Sequence, residues 1–256
     1  MLFERTNGGT HLTVAGLEFV EFARRILEDT EATFRNLQSR SRGENGRLTI
    51  GLYASLATGN MRATLAEYRR RFPDVDIHTI DGSHGRLIGA LGRGGIDVAI
   101  MTKSQEVWDD RCLSLWTERL IVALPERHPL AEYEAVSWPQ LAQERLVLPS
   151  LGPGPELESL LASKLSGDKP RRVLHSESGL DRLLSLVSTG YGALLLFEGG
   201  AGLKHYGVVY REIQDGAEPT RVNFMAYWQQ KNRNPTLTPF LDLLRERYPD
   251  LAAPPV

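Results

Sequence analysis

A single cysteine, Cys112, stands among 256 residues. That excludes a disulfide within the chain and suits a reducing compartment. No apolar run approaches the roughly 20 residues that a membrane span requires. The first residues lack the charged-then-apolar order of a secretory signal. The expected location is cytoplasmic, with no membrane partner. An excess of one charge sign is also missing: 30 Lys and Arg stand against 32 Asp and Glu, a formal net charge of -2. No global basic field points to nucleic acid.

Catalytic signatures are equally scarce. A nucleophile elbow needs G-x-S-x-G. "IDGSHG" around Ser83 comes nearest, but Asp81 holds the first glycine position. "GRGGID" and "GYGALL" lack the third glycine of a dinucleotide loop, and no Walker loop occurs. His11, His78, His84, His128, His175 and His205 show no H-x-x-x-H spacing, and Cys-x-x-Cys is absent. The expectation is a chain that is not an enzyme, with no metal and no cofactor.

What is present is pattern. The chain opens with "MLFERTNGGTHLTVAG". Asn7-Gly8-Gly9 between two short runs reads as a hairpin turn, because Asn and Gly accept positive φ. A lone hairpin is marginal in water, so this one needs something to pack against. A helix over 14–42 follows, with Thr13 as N-cap and Gly43 and Gly46 marking its exit. Val20, Ala23, Leu27, Thr30, Phe34 and Leu37 recur in alternating steps of three and four, a coiled-coil seam. Phe19, Phe22 and Ile26 form a second stripe. Such a helix either lies on its own domain or pairs with a second copy. The linker-like "SRGENG" favours pairing, with Val20, Leu27, Phe34 and Leu37 as dimerisation residues.

From Arg47 strands and helices alternate. "RLTIGLY", "VDIHTI" and "IDVAIM" read as strands, separated by the helices "NMRATLAEYRRRF" and "GRLIGALGRGG". "ERLIVALPERHPLA" is a strand ending in a Pro-rich turn. "RLVLPS", "RRVLHSES" and "ALLLFEGG" repeat the alternation around "ELESLLASKL" and "GLDRLLSLVSTGYG". "VNFMAYWQQ" is a late strand and "LTPFLDLLRERYP" a closing helix. This order predicts an α/β chain with parallel strands in two similar lobes. The chain is expected to cross between them near Leu124–His128 and near Thr220–Phe224. A cleft between two such lobes is a natural small-molecule site.

"YASLATGN" leads from the first strand into a helix. Ser55 and Thr58 offer hydroxyls beside unpaired backbone N–H groups, a combination that attracts carboxylates. Plain N-capping by Thr58 or Asn60 is the structural alternative. Leu56 and Ala57 make the loop less polar than a dicarboxylate would favour. Glu177 near the cleft would repel an anion, so either it faces away or the ligand is not purely anionic. Tyr53, Trp108 and Trp116 suit an aromatic ligand or an ordinary core equally.

Several segments resemble the LysR-type transcriptional regulators. "LFERTNGGTHLTVAGLEFVEFARRIL" is similar to that family's wing hairpin and linker helix. "LIGALGRGGIDVAIM", "ERHPLA" and "LLSLVSTGYGALLLF" match patterns of its effector domain, in the same order. The resemblance implies a two-lobed, periplasmic-binding-protein-like effector domain over 47–256. The first lobe would span about 47–124 and 224–256, and the second about 125–223. A wing remnant (1–13) and a linker helix (14–42) would precede it.

The resemblance further implies a small-molecule effector in the cleft, near Ser55, Leu56, Ala57, Thr58, Ser83, His84, Thr102, Pro149, Ser150 and Phe197. It implies a homodimer or homotetramer, and DNA as partner of the full-length protein through Arg5, Asn7 and His11. The three helices that carry base reading in the family would precede "LFERT". Selective DNA binding by this chain alone is therefore not expected. A free-standing small-molecule-binding protein of the same fold is the alternative.

Overall fold

The computed structural model describes residues 1–6, 9–53, 55–103, 108–165 and 172–249. Strands β1 (Phe3–Thr6) and β2 (Gly9–Leu12) pair antiparallel, Phe3 opposite Leu12 and Thr6 opposite Gly9. The hairpin packs on the first turn of α1 (Val14–Ser41). There the Thr13 hydroxyl donates to the Met1 carbonyl at 2.9 Å, and the Thr13 N–H to the Leu2 carbonyl at 3.1 Å. Thr13 also caps α1 as expected, its oxygen accepting from the Gly16 N–H at 3.0 Å. Gly16 has no room for a side chain, since a Cβ would stand 2.0 Å from the Leu2 carbonyl oxygen.

At 28 residues, α1 is roughly 42 Å long. Gly43 ends it at φ +70°, the left-handed conformation typical just beyond a helix. The link to the next element is shorter than "SRGENG", because Asn45 and Gly46 already belong to β3 (Asn45–Leu52).

Next come α2 (Gly59–Arg71), β4 (Asp74–Asp81), α3 (His84–Gly92) and β5 (Val98–Thr102). Strand β3 lies parallel to both β4 and β5, giving the order β4-β3-β5. In α2, Met61, Thr64 and Tyr68 recur at helical spacing and are buried. Every residue of β5 is buried, as its unbroken apolar run requires of a strand covered on both faces.

Strand β6 (Arg111–Pro125) is far longer than its sequence signal. The second lobe continues through β7 (Ala135–Ser137), α4 (Trp138–Ala142), β8 (Arg145–Pro149), α5 (Gly154–Lys164), β9 (Arg172–Ser176), α6 (Leu180–Ser188) and β10 (Ala193–Phe197). Strands β11 (Val208–Asp215) and β12 (Glu218–Pro219), with a short 3₁₀ turn at Glu198–Gly202, complete it. Its parallel order β9-β8-β10 repeats the order of the first lobe. Strand β13 (Arg221–Trp228) and α7 (Leu237–Arg247) return to the first lobe.

Strand β6 belongs to both halves. Arg111–Arg119 pair with β13, Leu120–Ala123 with β10, and Ile121–Pro125 with β11. The change of partner falls at Arg119–Leu120, earlier than Leu124–His128. The return falls at Thr220, whose carbonyl accepts from the Leu120 N–H at 2.8 Å. One apolar core runs through both lobes by way of β6, and a smaller cluster sits between α6 and β8, β10 and β6.

Candidate functional site

The parallel strands of both lobes end toward one cleft. In the first lobe β3, β4 and β5 end at Leu52, Asp81 and Thr102; in the second β8, β9 and β10 end at Pro149, Ser176 and Phe197. Open parallel sheets bind ligands beyond such carboxyl ends, where connections diverge and leave a crevice. A cavity of about 420 Å³ lies there. The first lobe contributes Tyr53, Ser55 and Asp81. The second contributes Pro149, Leu151, Gly152, Pro153 and Leu157 around the start of α5, then Glu177–Leu180 and Leu183 around the start of α6. Residues Leu194–Phe197 of β10, with Gly200 and Leu203, form the floor. A larger hollow of about 720 Å³, between Thr33, Leu37 and Arg40 of α1 and the β3–β4 edge, lies at the amino ends of those strands, opposite the carboxyl ends that frame the cleft.

Three of the ten residues expected at the effector site line the cavity: Ser55, Pro149 and Phe197. Phe197 stacks on Tyr53 at 6.1 Å between ring centres and meets Phe224 edge-on at 5.3 Å. It thus serves both core and cavity wall. Of the three aromatic candidates, Tyr53 alone lines the cavity. Its hydroxyl is tied to the Thr102 Oγ1 at 2.5 Å and accepts from the Thr102 N–H at 2.9 Å. Burial raises the Tyr53 pKa well above the ordinary phenol value, against the lowering effect of the Thr102 hydroxyl. Tyr53 is therefore a neutral, fixed wall, and Thr102 acts behind it.

The other expected residues stand around the cavity without lining it. Ser55 Oγ accepts from the Ala57 N–H at 3.2 Å, a local turn that leaves Leu56 exposed. Thr58 heads α2 without a side-chain cap bond. Its hydroxyl donates instead to the Gly199 carbonyl at 3.0 Å, across the cleft. The Ser150 N–H donates to the Ser176 carbonyl at 2.7 Å.

Ser83 and His84 start α3. There the His84 N–H donates to Glu156 Oε1 of α5 at 2.9 Å. A carboxylate of the second lobe thus occupies the helix N-terminus that an anionic ligand would seek. The His84 ring is buried and meets Tyr227 edge-on at 6.2 Å.

Beside the cavity, Glu118 is a buried carboxylate on the shared strand. It accepts from Trp116 Nε1 at 2.9 Å and from the Gly199 N–H at 3.2 Å. Burial raises its pKa, those two donors oppose the rise, and the Glu198 charge adds to it. Arg119 next to it donates to Glu198 at 2.6 Å and to Glu212 at 2.7 Å, which holds Glu198 ionised below the usual carboxylate range. Among the described residues, no group of three or more His, Cys, Asp or Glu is arranged to hold a metal. No helix among them is long and apolar enough to cross a membrane.

A family model described as the LysR substrate binding domain matches residues 41–249. The chain belongs to the LysR family of transcriptional regulators. It is 26% identical over 248 residues to the HTH-type transcriptional regulator BudR of Raoultella terrigena, across 94% of this chain and 84% of that one. The structure of full-length CbnR complexed with its target DNA superposes with a TM-score of 0.78 at 19% identity, across 96% of this chain and 84% of that one. The BenM effector-binding domain with its effector benzoate gives a TM-score of 0.65 at 22% identity, across 82% of this chain and 96% of that one. At those identities the structural matches establish the shared two-lobed fold.

In this LysR-type chain, α1 carries a face without cover. Leu27 is 64% exposed and Phe34 62%; Leu37, Phe19, Phe22 and Ile26 are also exposed, while Val20 is half-buried. In the hairpin, Arg5 pairs with Thr10, and His11, which is exposed, with Glu4. Asn7 lies outside the described residues.

The second-lobe wall was not anticipated: Leu151–Pro153, Leu157, Leu180 and Leu183 read as ordinary turn and helix residues. One signal was available, since Glu177–Leu180 and Leu151–Pro153 follow β9 and β8 just as Ser55 follows β3.

Proposed function

We propose that the chain senses a small molecule in the 420 Å³ cavity and passes the binding event to DNA-binding heads as a change in lobe arrangement. The observation that carries this is the cavity's composite wall. Tyr53, Ser55 and Asp81 come from one lobe and Pro149, Leu157, Glu177 and Leu183 from the other. A ligand touching both favours one lobe arrangement over others, and so shifts a population. Under this reading the lobes would divide where β6 changes partner at Arg119–Leu120, and rejoin at Thr220. The exposed seam of α1, with Val20, Leu27, Phe34 and Leu37, would join two copies. Arg5 and His11, with Asn7, would reach phosphates, which position a protein without reading sequence.

Filling the cavity tests this reading. Leu183→Trp should abolish the ligand-dependent shift in melting temperature found with a small-molecule panel. It should equally abolish effector-dependent transcription from a reporter. A variant that folds and still responds to effector would place the sensor elsewhere.

A further inference from the structure

The cavity wall has a sign. It holds two carboxylates, Asp81 and Glu177, and no Lys, Arg or His. Neither carboxylate has an ion-pair partner among the described residues. The remaining wall is largely Leu, with the rings of Tyr53 and Phe197.

An anionic ligand would need a compensating donor: the starts of α5 and α6 line the cavity, the latter directly beside Glu177, while the start of α3 is already taken. At α3 the Glu156 carboxylate already accepts from the His84 N–H at 2.9 Å, and its second oxygen is buried without a hydrogen-bond partner among the described residues. A further carboxylate would meet the like charges of Asp81 and Glu177 on the cavity wall.

An ammonium group meets the opposite field. It can sit at the mouth of the cavity beside Asp81 and Glu177, with its carbon skeleton among Leu157, Leu180, Leu183 and Phe197. We propose that this chain responds to a cationic amphiphile, a small amine with an apolar body, rather than to an organic acid. This rests on the reading of the cavity as the effector site and specifies its chemistry.

Three probes with one skeleton separate the alternatives: phenethylamine, phenethyl alcohol and hydrocinnamate, titrated calorimetrically into the full chain. Phenethylamine should bind most tightly and hydrocinnamate least. Asp81→Asn and Glu177→Gln should each weaken the amine about two- to fivefold, as expected of partly exposed ion pairs. They should leave the alcohol unchanged and improve the acid. Added salt should weaken the amine alone. Hydrocinnamate binding as tightly as the amine, or amine affinity indifferent to both substitutions, overturns the proposal. If such binding is lost in Leu183→Trp, the cavity stands as the site and only the ligand class falls. If the probes do not bind, or bind Leu183→Trp equally well, the cavity reading falls, and this proposal with it.

Discussion

The Thr58 hydroxyl donates to the Gly199 carbonyl at 3.0 Å, joining the start of α2 to the 3₁₀ turn of the opposite lobe. The Thr58 N–H approaches the same oxygen at 3.3 Å. Gly202 makes the approach possible, since a Cβ there would stand 2.2 Å from the Thr58 methyl. The residue that sequence reasoning assigns to the ligand is engaged in holding the lobes together.

Thr58→Val should therefore act on stability. Loss of one neutral hydrogen bond predicts about 0.5–1.5 kcal/mol in urea unfolding. A ten- to hundredfold loss of effector affinity with unchanged stability would instead put Thr58 on the ligand.

Tyr53→Phe should cost more than its single oxygen suggests. The Thr102 N–H, which donates to the Tyr53 hydroxyl at 2.9 Å, would be left buried without its acceptor. Such an orphaned donor costs about 1–3 kcal/mol, while the ring still packs on Phe197. Chemical denaturation of the two proteins, compared at one pH, measures the difference.

Glu118 predicts a pH dependence with a definite sign. Burial raises its folded-state pKa, so between the ordinary carboxylate value and the raised one the folded protein binds more protons than the unfolded chain. Its contribution to stability is complete below the ordinary value and declines as pH rises through that window. Glu118→Gln is neutral at every pH, but its amide nitrogen cannot accept from one of the two N–H donors that the carboxyl oxygens take, a cost that does not vary with pH. The parent should therefore lose stability relative to the variant as pH rises through the window, read as the difference between two urea-midpoint series. A difference curve flat with pH would remove Glu118 as a titrating group there.

The exposed seam of α1 predicts self-association. Light scattering should show at least a dimer at micromolar concentration. Leu27→Glu with Phe34→Glu places charge in the seam and should shift the chain toward monomer with little change in the melting of the α/β domain. An unaltered parent that is already monomeric would remove the seam from assembly.

The two lobes were legible because their signals are local. "VAIM" and "ALLLF" are unbroken apolar runs, and strands buried on both faces must be so composed. Thr13 read as a cap and became one, because a cap depends on three residues of chain. Strand–helix alternation fixed that parallel strands would form, and so which residues follow their carboxyl ends. That was enough to place Ser55, Pro149 and Phe197 near the cavity wall that the fold then forms.

The remainder depended on contacts distant in sequence. Arg111–Thr117 joined β6 because β13 lies beside it, more than a hundred residues later. Whether Thr58 faces a ligand or Gly199 was decided by lobe packing 141 residues away. That Glu156 caps α3 follows from how α5 meets the first lobe, and hydrophobic periodicity carries no trace of it. The sequence by itself determined the order of the main elements and the family, but not β7, α4, β11 or β12. Only the tertiary structure decided which side chains face one another across the cleft, and with them the sign of the cavity, because charge complementarity is a property of space rather than of chain order.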